Sequence, residues 1–77
     1  MGNKKITANI IVNISITENQ FKLLKLVDED EMGFEPDNLN EVENDLNKLC
    51  ELQLVETVLG EQFYITNLGD QFLSKVK

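Results

Sequence analysis

Along residues 6–16 apolar and polar positions alternate almost without fault. Ile6, Ala8, Ile10, Val12, Ile14 and Ile16 share one parity, and Thr7, Asn9, Ile11, Asn13 and Ser15 the other. Period two marks a half-buried β-strand, so the spacing predicts a single strand over 6–16 with Ile11 as the lone apolar residue on its polar face. One strand cannot satisfy its own backbone groups. It is expected to pair with a later hairpin or, through Ile6, Ala8, Ile10, Val12 and Ile14, with a second copy of itself, which would make a homodimer.

The period then changes. Thr17 and Gln20 have the N-cap and N3 spacing of a capping box, and Phe21, Leu24 and Val27, widened by Leu23 and Leu26, form a helical stripe. Glu18 and Lys22 stand four apart on the exposed side. The helix is expected to fray at Asp28–Glu31, where four carboxylates meet the negative end of the helix dipole. Residues 32–36 read as a turn or loop. Leu39, Val42, Leu46, Leu49 and Cys50 step by three or four and define an amphipathic helix ending near Leu52. Asn38 with Glu41 and Asn40 with Glu43 are alternative caps, so residues 37–52 read as one helix or as a short turn of helix followed by a longer one. Two β-rich runs, Leu54–Val58 and Gln62–Thr66, flank Leu59-Gly60-Glu61 and predict a hairpin. Thr66 or Asn67 then caps a last helix carrying Leu68, Phe72, Leu73 and Val76, with Lys75 and Lys77 at its C-terminal end.

The stretch from Asp45 to Leu73 thus runs helix, hairpin, helix without a gap. Leu49-Cys50-Glu51-Leu52-Gln53-Leu54-Val55 resembles the end of the third helix and the start of the wing in the winged helix-turn-helix family. Tyr64-Ile65-Thr66-Asn67-Leu68-Gly69-Asp70-Gln71-Phe72-Leu73 resembles that family's exit from the wing, where an aromatic, an apolar residue, Thr, two variable residues and Gly open a packing helix. The match covers about a third of the chain well and the rest loosely. The resemblance implies a single α+β winged-helix-like domain over residues 1–77. Its parts would be a three-helix core, a small antiparallel sheet made of the N-terminal strand and the later hairpin, and a C-terminal helix. It also implies nucleic-acid binding and transcription regulation as the usual function.

Composition argues against that usual function. The 77 residues carry 14 acidic and 7 basic side chains, a formal charge of -7, with all basic residues lysine. Arginine supplies the bidentate fork that reads guanine and grips phosphate, and here it is absent. The mean field repels nucleic acid. Carried over from the resemblance, the outward positions of the recognition-like helix are Glu41, Glu43, Asn44, Asn47, Lys48 and Glu51, and the wing tip bears Glu61. These residues present carboxylates where a DNA binder would hold phosphate.

Candidate chemistry is sparse. Histidine and tryptophan are absent, which removes the usual general base, the usual zinc nitrogen ligand and the best stacking platform. Asp28–Glu31 lacks the alternating ligands and central glycine of a calcium loop and reads as a solvated helix end. Cys50, the single cysteine, lies on an apolar stripe and reads as a small hydrophobe. Phe63 and Tyr64 are adjacent on a strand and face opposite ways. The chain begins without a signal-peptide or membrane-spanning pattern, the Met1-Gly2 start has Ile6 where a myristoylation motif needs a hydroxyl, and Asn13-Ile14-Ser15 is a sequon relevant only to a secreted chain.

The expectation is a non-enzymatic cytoplasmic module without cofactor or metal, binding a protein partner with a basic surface. A phage- or mobile-element-type inhibitor that mimics nucleic-acid charge is one form of it. The alternative is a DNA-binding regulator that gathers Lys4, Lys5, Lys22, Lys25 and Lys48 on one face; a saturable shift of labelled duplex in low salt separates the two.

Overall fold

The computed structural model describes residues 4–10, 13–59 and 61–76. The order of elements is β1 (Lys5–Asn9), β2 (Asn13–Thr17), α1 (Glu18–Glu29), α2 (Leu39–Glu51), β3 (Val55–Val58), β4 (Gln62–Ile65) and α3 (Asn67–Val76). The α+β class is as expected; it is made of three helices and two separate two-stranded antiparallel sheets.

Residues 6–16 are not one strand. They fold back as a hairpin, β1 against β2, with Ile6 opposite Ile16, Ala8 opposite Ile14 and Asn9 opposite Asn13. The two-stranded sheet so formed is separate from the β3–β4 sheet, which corrects the expectation of a first strand joined to the later hairpin. The reason is parity. Partners in this hairpin sum to an even number, so even positions face even positions across an odd-length connection, and period two continues unbroken through the turn. Ala8, Ile14 and Ile16 are buried, and Ile6 and Ile10 pack partly buried against the same core. That apolar face therefore needs no second copy to cover it. Val12, named with it above, lies outside the described residues.

The first helix starts as expected. The Thr17 N–H donates to Gln20 Oε1 at 3.0 Å while the Gln20 N–H donates to Thr17 Oγ1 at 3.1 Å, closing the capping box. The same Gln20 amide reaches Asp45 Oδ1 on α2 at 3.2 Å. α1 ends at Glu29 with Asp30 as C-cap, where the carboxylates begin to accumulate. Leu23, Leu24 and Val27 are buried, whereas Leu26 is left 46% exposed.

Residues 37–52 contain one helix, α2, over Leu39–Glu51. α2 has Asn38 at its N-cap without a side-chain cap bond, and no second helix stands between it and α1. The intervening chain instead turns at Gly33, φ 106°, and Phe34 makes a single antiparallel bridge to Phe63 on β4. α2 closes in a Schellman motif: Leu54 N–H donates to Leu49 C=O and Gln53 N–H to Cys50 C=O, both at 3.0 Å. Leu49 and Leu54, which meet in that motif, are fully buried. The left-handed position is held by Gln53, φ 65°, where glycine is the usual occupant. Gln53→Gly is therefore expected to stabilise the fold by about 0.5–1 kcal/mol, the relief of the Cβ clash outweighing the extra freedom of the unfolded chain. A rise of a few degrees in the thermal midpoint checks it, and a fall would show that the glutamine side chain contributes more than its backbone costs.

Thr66 ties α3 to this turn. Its Oγ1 donates to Gln53 C=O at 2.6 Å and accepts the Gly69 N–H at 3.0 Å, while its own N–H donates to Leu54 C=O at 3.1 Å. Thus Thr66, and not Asn67, is the cap. α3 then packs on β1, α1 and β4, with Phe72 and Leu73 buried in the one core cluster shared by both hairpins and all three helices. Among the described residues no polar or charged side chain is buried.

Candidate functional site

α2 divides cleanly by periodicity. Leu46 and Leu49 are buried and Leu39, Val42 and Cys50 pack partly buried against the core, which turns the opposite arc to water. Glu41, Glu43, Asn44, Asn47, Lys48 and Glu51 are all exposed, as is Glu61 after the β3–β4 turn. Each residue that the resemblance placed outward is therefore exposed. Glu41 in the first turn and Lys48 in the last complement the helix dipole.

The fold brings Glu35 next to Glu61 at the start of α2. A shallow cleft of about 350 Å³ is lined by Glu35, Pro36, Leu39 and Glu61. It brings the wing carboxylate beside Glu35 and the start of α2, and Glu35 Oε1 accepts Gln62 Nε2 at 2.9 Å. Glu35 was missed because only the Phe34–Phe63 bridge carries its loop to the wing. Glu35 of the α1–α2 loop and Glu61 after the β3–β4 turn thus lie beside the start of α2, and Lys48 is the only cation of that helix.

The remaining lysines are distributed differently. On a helix of 3.6 residues per turn, Lys22 and Lys25 lie roughly 140–160° from Gln20, and Gln20 is the α1 residue that reaches α2. They line a hollow with Leu26 and Glu29. Lys4 passes its carbonyl to the Glu18 N–H at 3.1 Å, which sets it at the start of α1. Lys5 opens β1, Lys22 and Lys25 are on α1 and Lys48 is on α2.

The other candidates fall into structural roles. Cys50 is partly buried, and burial pushes its thiol pKa up, so it stays protonated and weakly nucleophilic at neutral pH. Phe63 is buried, while Tyr64 is half-buried, lies against Gly33 and donates its hydroxyl to Gln62 Oε1 at 3.1 Å. Among the described residues no group of three or more His, Cys, Asp or Glu side chains is placed to hold a metal, and no helix is long and apolar enough to cross a membrane.

Sequence reasoning passed over the apolar wing tip. Leu59 is 90% and Val58 47% exposed, and Leu59 holds φ 59°; the visible signal was a leucine placed directly before Gly60 in the hairpin loop. No protein-family model, curated protein or solved structure matches the chain.

Proposed function

We propose that this chain is a non-enzymatic, winged-helix-like binding module that presents the outer face of α2 to a protein partner with a basic surface. The observation that carries the reading is the exposure of the charge: Glu41, Glu43 and Glu51 are all exposed on α2, with Lys48 the only cation of that helix, and Glu35 and Glu61 line a cleft at its start. Opposed charges across such a contact steer the encounter and fix its register more than they add affinity. Exposed pairs are individually worth little, so recognition rests on several carboxylates acting together. Nucleic-acid mimicry fits this arrangement, since a row of carboxylates on a helix can occupy a surface evolved for phosphates. The module works in the cytoplasm on this reading, where its single thiol stays reduced. Binding of DNA is disfavoured by the formal charge of -7, whose mean field repels phosphate.

A titration with a labelled nona-arginine peptide at about 50 mM salt, where surface electrostatics are weakly screened, tests the placement of the site. Neutralising the α2 face in E41Q/E43Q/E51Q is expected to weaken binding at least about tenfold. Removing the same charge elsewhere, in E29Q/D30N/E31Q, is expected to change it by no more than about twofold. Equal losses would mean that the peptide follows net charge alone and would sink the assignment. A saturable shift of duplex DNA at micromolar protein would replace it with the regulator reading.

A further inference from the structure

The cleft at the start of α2 is built from segments that lie apart in sequence. Glu35, Pro36 and Leu39 come from the approach to α2 and its first turn, and Glu61 from the far side of the β3–β4 turn. Pro36 and Leu39 are partly buried, whereas Glu35 and Glu61 are exposed, so apolar surface lies below and carboxylates stand at the rim. Every charged group lining the cleft is a carboxylate. Lys48, the only cation of α2, is about 13 Å along the helix axis from Leu39, past the screening length of about 8 Å near physiological ionic strength. The positive end of the α2 dipole opposes a cation here with about half a charge. Glu35 and Glu61 outweigh it, and Glu41 in the first turn adds to them.

Glu35 is also held in place. Its Oε1 accepts Gln62 Nε2 at 2.9 Å, and Gln62 Oε1 accepts the Tyr64 hydroxyl at 3.1 Å. Both ends of the Gln62 amide are thus engaged, and the Tyr64 ring behind them lies against Gly33. A carboxylate has about four lone-pair sites. One bond to Gln62 leaves Glu35 with acceptor capacity for a ligand.

We infer that this cleft seats one arginine side chain of the basic partner, its methylenes on Pro36 and Leu39 and its guanidinium bonded to Glu35 and Glu61. The inference deepens the reading of the α2 face and rests on it. The cleft, about 350 Å³, is at the low end of the range for ligand sites, about 300–1,000 Å³, and suits a side chain. Lysine and arginine both lay an aliphatic stem along apolar surface while the charged head stays at the rim. Arginine is favoured because its planar guanidinium has donors on more than one edge, so it bonds carboxylates entering from two elements at once, and because it sheds water more readily than an ammonium. Gln62 and Tyr64 act as positioning residues. By fixing Glu35 before the partner arrives they lower the ordering cost of the contact.

Titrating the full chain with labelled nona-arginine and with labelled nona-lysine, each at about 50 mM salt, reads the ratio of the two affinities. Net charge moves both alike, so the ratio isolates the arginine-specific contact. Wild-type protein is expected to prefer nona-arginine, and E35Q/E61Q to lower that preference at least about threefold, within the range for exposed charge pairs. E29Q/D30N removes the same charge elsewhere and is expected to leave the ratio unchanged. Q62L changes no charge and is expected to lower the ratio about twofold by releasing Glu35. Both glutamates are exposed, so E35Q/E61Q retains the fold and serves where Q62L loses its circular dichroism. Failure of the α2 reading shows as equal losses in E41Q/E43Q/E51Q and E29Q/D30N/E31Q. Failure of the arginine assignment shows separately: wild-type protein without a preference for nona-arginine, or a preference that E35Q/E61Q leaves intact, overturns it, and a Q62L ratio equal to wild type overturns the positioning role.

Discussion

Gly69→Ala is expected to cost about 2–3 kcal/mol of folding stability, against a total of about 4–11 kcal/mol for a domain of this length. Intrinsic helix propensity argues the other way, since alanine in a helix is favoured over glycine by up to about 1 kcal/mol. The surroundings decide the sign. A Cβ on Gly69 would collide with the Leu54 carbonyl oxygen and would lie 2.8 Å from Ile65 Cγ1. The carbonyl cannot withdraw, because it accepts the Thr66 N–H at 3.1 Å and belongs to a residue with no exposed surface. Accommodation requires α3 to lift from the start of β3, which also strains the Thr66 bonds to Gln53 and Gly69. Urea denaturation of Gly69→Ala beside the exposed control Gln71→Ala measures the effect. A Gly69→Ala protein as stable as wild type would show that the helix approaches this strand less closely.

The largest loss is expected from Phe72→Ala, about 3–5 kcal/mol, the range for removing a buried aromatic side chain and leaving a cavity. Phe72 has no exposed surface. It sits on α3, the helix that packs against β1 as well as α1 and β4 and so joins the N-terminal hairpin to the rest of the core. Near the lower bound of total stability such a loss leaves the native state in the minority. Phe72→Leu keeps most of the volume and is expected to cost below about 1.5 kcal/mol. Comparing denaturation midpoints of the two variants separates cavity formation from a general intolerance of change on α3. A cost below about 1 kcal/mol for Phe72→Ala would mean that α3 is not docked as described.

Both residues lie in the stretch that resembles the winged-helix exit, and the physical reason for that spacing is visible here. Thr66 is useful three residues before Gly69 because its hydroxyl accepts the Gly69 N–H while donating to the preceding turn. Gly69 is needed because it faces a carbonyl. Phe72 follows three residues later on the same helix face and enters the core. The tertiary structure places a single Phe34 bridge on β4 and a single helix over residues 39–51, so the second helix of a helix-turn-helix is not formed.

The capping box at Thr17, the end of α1 among its carboxylates at Glu29, the β3–β4 hairpin and the amphipathic split of α2 were all legible in the sequence. They are local: each rests on contacts within a few residues, where periodicity and capping chemistry determine the outcome. The outward set Glu41, Glu43, Asn44, Asn47, Lys48 and Glu51 came from the resemblance, and its exposure agrees with the buried stripe of Leu46 and Leu49 on the opposite arc. Tertiary structure alone decided where separate segments meet. Residues 6–16 alternate identically whether they form one strand or a hairpin of even pairing sum, so only the packing of Ile6, Ala8, Ile14 and Ile16 against α1 and α3 distinguishes them. Glu35 joins Glu61 through a single bridge between residues 29 positions apart in sequence, Phe34 and Phe63. The left-handed backbone at Gln53 and Leu59 runs against the preference of both residue types. It is imposed by helix closure at one and by the turn between paired strands at the other, which are constraints of neighbours in space that no local pattern encodes.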